Sequence, residues 1–305
     1  MSGPVTENPD VVVEGEGCGE PTPIERFDAR KGDVGGSEVR RILPRRTRRT
    51  VGAWCFADHF GPFEGTLAIG PHPHTCLQTV TWLLDGELLH RDSTGAEQVV
   101  RPGQLKLMTA GRGVTHSEER TSETAITSHG VQLWVAQPDE TRNGDPAFEH
   151  HADLPEVDLE GAVASVLVGE LAGARSPARA DTHHFGAQVD LKGPASIELD
   201  AADEHAVFPL DGPIFIGDER LEVGQAAYLG PGRSELRIGG GSGTRLMLLG
   251  GTPWEDRITM WWNFVGRSRD EMDADFADWQ DRHERFGTVV SPLGRIDAPT
   301  PPWSR

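Results

Sequence analysis

The sequence predicts an all-β protein built from two small barrels in tandem, and three observations carry that expectation. From Arg26 onward, Gly, Pro and Asp punctuate the chain every six to twelve residues, with short β-prone runs between them; this is the pattern of a sandwich or barrel. The runs fall into two sets, one before about residue 145 and one starting near Thr182. The two sets also share a plan. Val80-Thr81-Trp82-Leu83-Leu84-Asp85-Gly86 lines up with Ala206-Val207-Phe208-Pro209-Leu210-Asp211-Gly212, and Pro102-Gly103-Gln104 with Val223-Gly224-Gln225, as an internal duplication would leave them.

Taken in order, residues 1–22 are rich in Gly, Pro and Glu around one apolar patch, Val11-Val12-Val13, and read as a mobile tail. The first barrel is expected over 23–145. Its strands include Gln78–Leu84, Gln98–Val100, Gln104–Met108 and Val131–Val135, bounded by turn signals such as Asp85-Gly86 and Arg101-Pro102-Gly103. The Asp-, Glu-, Pro- and Ala-rich segment 137–180 reads as the connector, within a second unit assigned to 146–305. Gly239-Gly240-Gly241-Ser242-Gly243 reads as a hairpin connection. Near the C-terminus, Ser268 and Glu271 have capping-box spacing, and Met272, Phe276 and Trp279 recur at i, i+4, i+7; this predicts a short helix with its apolar stripe packed on a barrel.

Composition narrows the function. The 305 residues are 36% hydrophobic, enough for a packed core, and the net charge is −19. A surface that acidic repels phosphate, which argues against direct nucleic-acid binding and against an anionic membrane surface. Arg40 to Arg49 holds six arginines in ten positions; against that net charge it reads as a solvated strand-loop-strand with local salt bridges. The uncharged stretch 65–84 contains His, Pro, Thr and Gln and makes a poor membrane span. Three cysteines without CxxC spacing argue against a disulfide framework. With no basic start followed by an apolar run, the chain is expected to be soluble and cytoplasmic.

The chemistry-bearing residues are histidines. His72 and His74 flank Pro73, and residues i and i+2 of a strand share a face; the proline fits if that strand is an edge. His116 and Glu118 repeat the spacing about 40 residues later, after the glycine-rich Thr109-Ala110-Gly111-Arg112-Gly113. On adjacent strands the two pairs would place three imidazoles and a carboxylate around one point, a set suited to Fe, Ni, Cu, Mn or Zn. An HxH alone is also what a polar strand edge shows; the second pair favours a metal. His150-His151, His183-His184 and His283 read as surface, and His59, His90 and His129 as hydrogen-bonded structural histidines. Cys76 shares the parity of His74 and reads as a buried, inert thiol. There is no GxSxG elbow and no P-loop.

Several runs together resemble the pirin family: Arg40-Arg41-Ile42-Leu43-Pro44, Asp58-His59-Phe60-Gly61-Pro62, His72-Pro73-His74, Met108 through Glu118 (MTAGRGVTHSE), His129 through Trp134, Trp262-Asn263-Phe264-Val265 and Arg285-Phe286-Gly287. The resemblance covers about residues 26–300. It implies a bicupin of two face-to-face, jelly-roll β-barrels, with one metal per chain in the N-terminal barrel and a metal-free C-terminal barrel. The metal would be Fe(II), with Ni, Cu, Mn or Zn able to replace it on isolation. The family ligands carry over to His72, His74, His116 and Glu118. It also implies either a quercetin 2,3-dioxygenase-like oxidoreductase, taking a flavonol-like substrate and O2, or a redox- or metal-sensing regulator with a protein partner. In the first case Glu118 is expected to act as a catalytic base, taking the proton of an incoming hydroxyl when it loosens from the metal. The chain departs from the family at Thr75-Cys76-Leu77-Gln78, where pirins usually read Arg-Gly-Phe-Glu; this segment is expected to alter the pocket wall.

Overall fold

A computed structural model describes residues 6–7, 22–65, 68–121 and 127–304. The tail expected over 1–22 lies outside them, apart from Thr22 and the backbone of Thr6–Glu7, which pairs with Thr259–Trp261. The described residues are mostly β-strand with one α-helix, as the alternation of short apolar runs and turns requires.

The first barrel combines two sheets. The larger runs, in spatial order, Ala147–His151, Leu105–Thr109, Leu77–Asp85, Thr127–Ala136, Trp54–Glu64, Ser37–Leu43 and Arg30–Val34. The smaller runs Ile69–His74, Val114–Glu119, Leu88–Asp92 and Glu97–Val100. The second barrel is centred on Gln225–Leu229, Glu204–Asp211, Arg245–Gly251 and the long strand His184–Glu198, flanked by Glu156–Val168 and Glu235–Gly240.

The repeat seen in the sequence is a structural one. Leu77–Asp85 lies between Leu105–Thr109 and Thr127–Ala136, and its counterpart Glu204–Asp211 lies between Gln225–Leu229 and Arg245–Gly251. The registers agree to the residue: Lys106 opposes Thr81 as Ala227 opposes Val207.

Two strands tie the units together across the expected division. Glu25–Asp28 pairs with Gln225–Leu229 of the second barrel, and Ala147–His151, inside the segment read as a connector, pairs with Leu105–Thr109 of the first. The rest of that segment is not plain linker either, since Glu156–Val168 pairs with His184–Glu198. The glycine run 239–243 does not close a hairpin. The strands it joins pair with different parts of His184–Glu198, near residues 195–198 and 184–190.

The arginine cluster works at this junction. Arg41 is buried on Asp58, Arg45 lies over Phe27, and Arg48 reaches Glu25 and stacks on Tyr228 with its guanidinium carbon 3.2 Å from the ring centre. The C-terminal helix spans Arg269–Gln280. The Ser268 hydroxyl accepts from the Glu271 amide, and Met272 and Trp279 are buried in a cluster with Trp261, Trp262, Phe264 and Phe286. No helix among the described residues is long and apolar enough to cross a membrane.

Candidate metal centre

Ile69–His74 is an edge strand of the smaller sheet, so Pro73 removes no ladder hydrogen bond from a central position. Strand alternation turns His72 and His74 to the barrel interior, and the adjacent Val114–Glu119 brings His116 directly opposite His72. The His72 and His116 ring centres are 4.2 Å apart, and His74 Nε2 lies 3.1 Å from His116 Nε2. Donor atoms of the three histidines all fall within 4.8 Å of one another.

The backbone sets the tautomers. His72 Nδ1 donates to the Gly70 carbonyl and His74 Nδ1 to the Asn263 carbonyl, both at 2.9 Å. A carbonyl only accepts, so each Nδ1 carries the proton and each Nε2 presents a lone pair to the centre. Burial lowers the pKa of all three histidines, those of His74 and His116 well below the ordinary value, which keeps the rings neutral. Lone pairs crowded this closely, with His116 Nδ1 buried and unpartnered, form a donor set that a cation would satisfy. Neutral imidazoles suit Fe, Ni, Cu, Mn or Zn better than Ca or Mg.

Glu118 lines the same cavity, past an irregularity in the ladder between His116 and Glu118. Its Oε1 accepts from Lys106 Nζ at 2.7 Å. Burial alone would raise the Glu118 pKa, but the charge and hydrogen bond of Lys106 outweigh it and the carboxyl is held below its usual range. The structure therefore brings the three histidines together directly, and places the carboxylate beside them on a buried lysine.

The cavity measures about 130 Å³. Phe56 and Trp134 stack on one wall with ring centres 4.1 Å apart, Trp134 meets His74 edge-on, and Asp58 and Gln132 supply polar groups. Trp262, Asn263 and Ile296 arrive from the C-terminal segment to complete the wall. Trp262 sits in the two-residue turn between Thr259–Trp261 and Phe264–Gly266 with φ +54°, a strained conformation for so bulky a residue. That turn holds the Asn263 carbonyl on His74 and the indole at the cavity.

Cys76, Leu77 and Gln78 do not line the cavity, contrary to expectation. Cys76 adopts φ +57°, which breaks the strand alternation, and its Sγ faces Arg142, 3.9 Å away. Burial pushes its thiol pKa up to about 11, in keeping with an inert group. The adjacent Thr75 donates to Asp275 of the C-terminal helix. His59 and His129 pair through Nε2 at 2.8 Å, and His90 bonds Asp92, as structural histidines should. His184, read as surface, is 3% exposed: its strand carries it inward against Trp54. His183 stays outside, grouped with Asp200 and Asp203, where two of the three residues are exposed.

Lys106 and the C-terminal residues Trp262, Asn263 and Ile296 join the site without being among the sequence candidates. A signal for Lys106 was present, since the duplication sets it against Ala227. No sequence pattern announces a backbone carbonyl from 189 residues away.

Comparison with known proteins agrees with this architecture. Residues 36–135 match the Pirin family model and residues 186–287 the Pirin C-terminal cupin domain. A Pseudomonas aeruginosa protein provisionally named a quercetin 2,3-dioxygenase is 44% identical over 92% of this chain and 91% of its own. A pirin-like protein of Caulobacter vibrioides is 37% identical over 83% of this chain and 92% of its own. The crystal structure of a quercetin 2,3-dioxygenase from Acinetobacter baumannii superposes with a TM-score of 0.88 at 38% identity, over 91% of this chain and 95% of that one. With both barrels matched, in order and nearly end to end, the chain is a bicupin and belongs to the pirin family.

Proposed function

We propose that this protein is a cytoplasmic, metal-dependent dioxygenase that opens a flavonol or related enediol with O2. One divalent metal, Fe(II), is held in the N-terminal barrel by His72, His74 and His116 with Glu118 as the accompanying carboxylate, and the C-terminal barrel is metal-free. The observation that carries the reading is the set of three neutral imidazoles, two of them anchored by backbone carbonyls, converging on a cavity with an aromatic wall. The names of the P. aeruginosa and A. baumannii relatives support the substrate class.

Each group has a task in that chemistry. The metal supplies a Lewis-acidic, redox-active centre at which an enediol and O2 can meet. Phe56 and Trp134 offer a flat face to a planar ring system. The Gly70 and Asn263 carbonyls fix the His72 and His74 rings, so the lone pairs need little reorganisation on binding. Glu118, ionised beside Lys106, would hold the metal through the oxygen not bonded to the lysine, and that oxygen would accept the proton of an incoming substrate hydroxyl on loosening from the metal. Trp262 and Ile296 limit water at the cavity.

The test is oxygen consumption by protein loaded anaerobically with Fe(II), across a panel of flavonols and smaller enediols. Turnover with at least one member, lost in His116→Ala, is expected. No oxygen uptake by iron-loaded wild type with any member would remove the dioxygenase reading and leave a metal-sensing protein. Glu118→Gln separates binding from proton transfer, since the amide can offer an oxygen but cannot act as a base. A variant that holds iron and keeps full turnover would remove the base role.

A further inference from the structure

Glu118 is not an isolated carboxylate. Lys106, whose Nζ is 2.7 Å from Glu118 Oε1, has no exposure to solvent and lies in a strand buried along all five of its residues. Burying an ammonium is costly unless a negative group matches it, and the group that matches it here belongs to the candidate centre. The duplication shows where this lysine stands. Lys106 opposes Thr81 in the first barrel, and the residue at the same register in the second is Ala227, opposite Val207. The lysine thus occurs in the barrel that carries the histidines, and a methyl group takes its place in the other.

We propose that Lys106 is a positioning residue of the metal centre: by holding Glu118 Oε1 it restricts the carboxylate to its other oxygen and offsets its charge, which tunes the centre for an anionic chelating ligand of the catecholate or enolate class. The inference rests on the metal-binding reading above. A dication among three neutral imidazoles and one carboxylate carries a net charge of +1, and the adjacent ammonium restores the local sum to +2, which balances a doubly deprotonated catechol. A carboxylate tethered at one oxygen also cannot chelate the metal through both, so it does not compete with a bidentate ligand for the same positions.

A double-mutant cycle tests this on chelator-stripped full-length protein titrated with Co2+, using wild type, Lys106→Met, Glu118→Gln and the double variant. Thermal melts of the metal-free proteins control for folding. Lys106→Met is expected to tighten Co2+ by about tenfold where Glu118 is present and by less than about threefold in the Glu118→Gln background, because charge removal alone acts weakly beside the released carboxylate. The visible Co2+ spectrum should change only in the Glu118 background. On Co2+-loaded protein, 4-nitrocatechol should bind about tenfold more weakly to Lys106→Met than to wild type. Equal tightening in both backgrounds, or unchanged nitrocatechol affinity, overturns the role of Lys106 while leaving the metal site standing. If Lys106→Met does not fold, Lys106→Gln replaces it, with the same expected loss of nitrocatechol affinity and the same overturning result. A wild type that binds no Co2+ overturns both readings, an outcome distinct from a cycle without coupling.

Discussion

A single row of cross-strand neighbours runs through each barrel, and the two rows occupy the same register. In the first barrel the row is Lys106, Thr81, Gln132, Asp58 and Arg41. In the second it is Ala227, Val207, Leu248, Ala187 and Val166. The first row is polar throughout and its groups are paired: Thr81 donates to Gln132, Arg41 makes two bonds to Asp58 at 2.9 and 2.7 Å, and Lys106 reaches outside the row to Glu118. The second row lies wholly within an aliphatic core. The strands that carry His72, His74 and His116 have counterparts in the distal part of His184–Glu198 and in Glu235–Gly240, where Ala195, Ile197, Leu236 and Ile238 are buried instead. One backbone plan therefore yields a cavity in one copy and a filled interior in the other. A polar interior must be satisfied group by group and leaves room for a ligand, whereas an aliphatic one closes on itself.

The contrast can be broken most severely at Ala227. Ala227→Lys puts an ammonium into the second barrel with no equivalent of Glu118, and about 3–5 kcal/mol of stability should be lost in urea denaturation; a loss under about 1 kcal/mol would mean the two interiors do not differ as described. Leu248→Ala should cost about 2–5 kcal/mol. At the counterpart position in the first barrel, Gln132→Leu should cost about 1–3 kcal/mol by a different route, because it leaves the buried Thr81 hydroxyl without its acceptor. For the metal, His116→Ala should weaken Co2+ or Ni2+ binding by roughly a hundredfold or more, at the upper edge of what supporting residues contribute. His183→Ala should leave the tight site unchanged, measured by equilibrium dialysis. Two tight metals per chain would show that the second barrel is not metal-free.

The smallest effect is a pH slope shared by both barrels. Burial lowers His59 to about 3 and His184 and His205 to about 4. Between the unfolded histidine value of about 6.5 and these lowered values, the unfolded chain takes up protons that the folded chain refuses. Stability is thus complete above about pH 6.5 and falls as the pH drops towards 4, by at most about 1.4 kcal/mol per pH unit per histidine. His205→Leu should remove about one histidine's share of that slope, read from urea midpoints of metal-free protein between pH 7 and pH 4.5.

Much of this was legible in the residues. The i, i+2 pairs named His72, His74, His116 and Glu118 because strand alternation is a local rule, and the condition that Pro73 sets, an edge strand, is met because Ile69–His74 lies at the edge of its sheet. The Asp-Gly and Gly-Gln matches exposed the duplication because turns constrain residue type strongly. Cys76 went the other way. Its parity pointed inward, but a left-handed φ turns the chain, and backbone conformation at a non-glycine residue leaves no trace in the pattern. His184 turns inward and His183 outward, because adjacent strand residues face opposite ways; that rule puts one of the two inside without saying which.

The sequence by itself determined the fold class, the repeat and the identity of the three histidines, since each depends on spacing along one strand or on the chemistry of one turn. Only the tertiary structure decided that Lys106 holds Glu118, that the Asn263 carbonyl sets the His74 tautomer, that Trp262 and Ile296 close the cavity, and that Glu25–Asp28 joins the sheet of the other barrel. Each of those is a meeting between segments whose partners are chosen by how the two barrels and the C-terminal segment pack. Hydrogen bonds and burial at such meetings depend on distances in space, which separation along the chain does not encode.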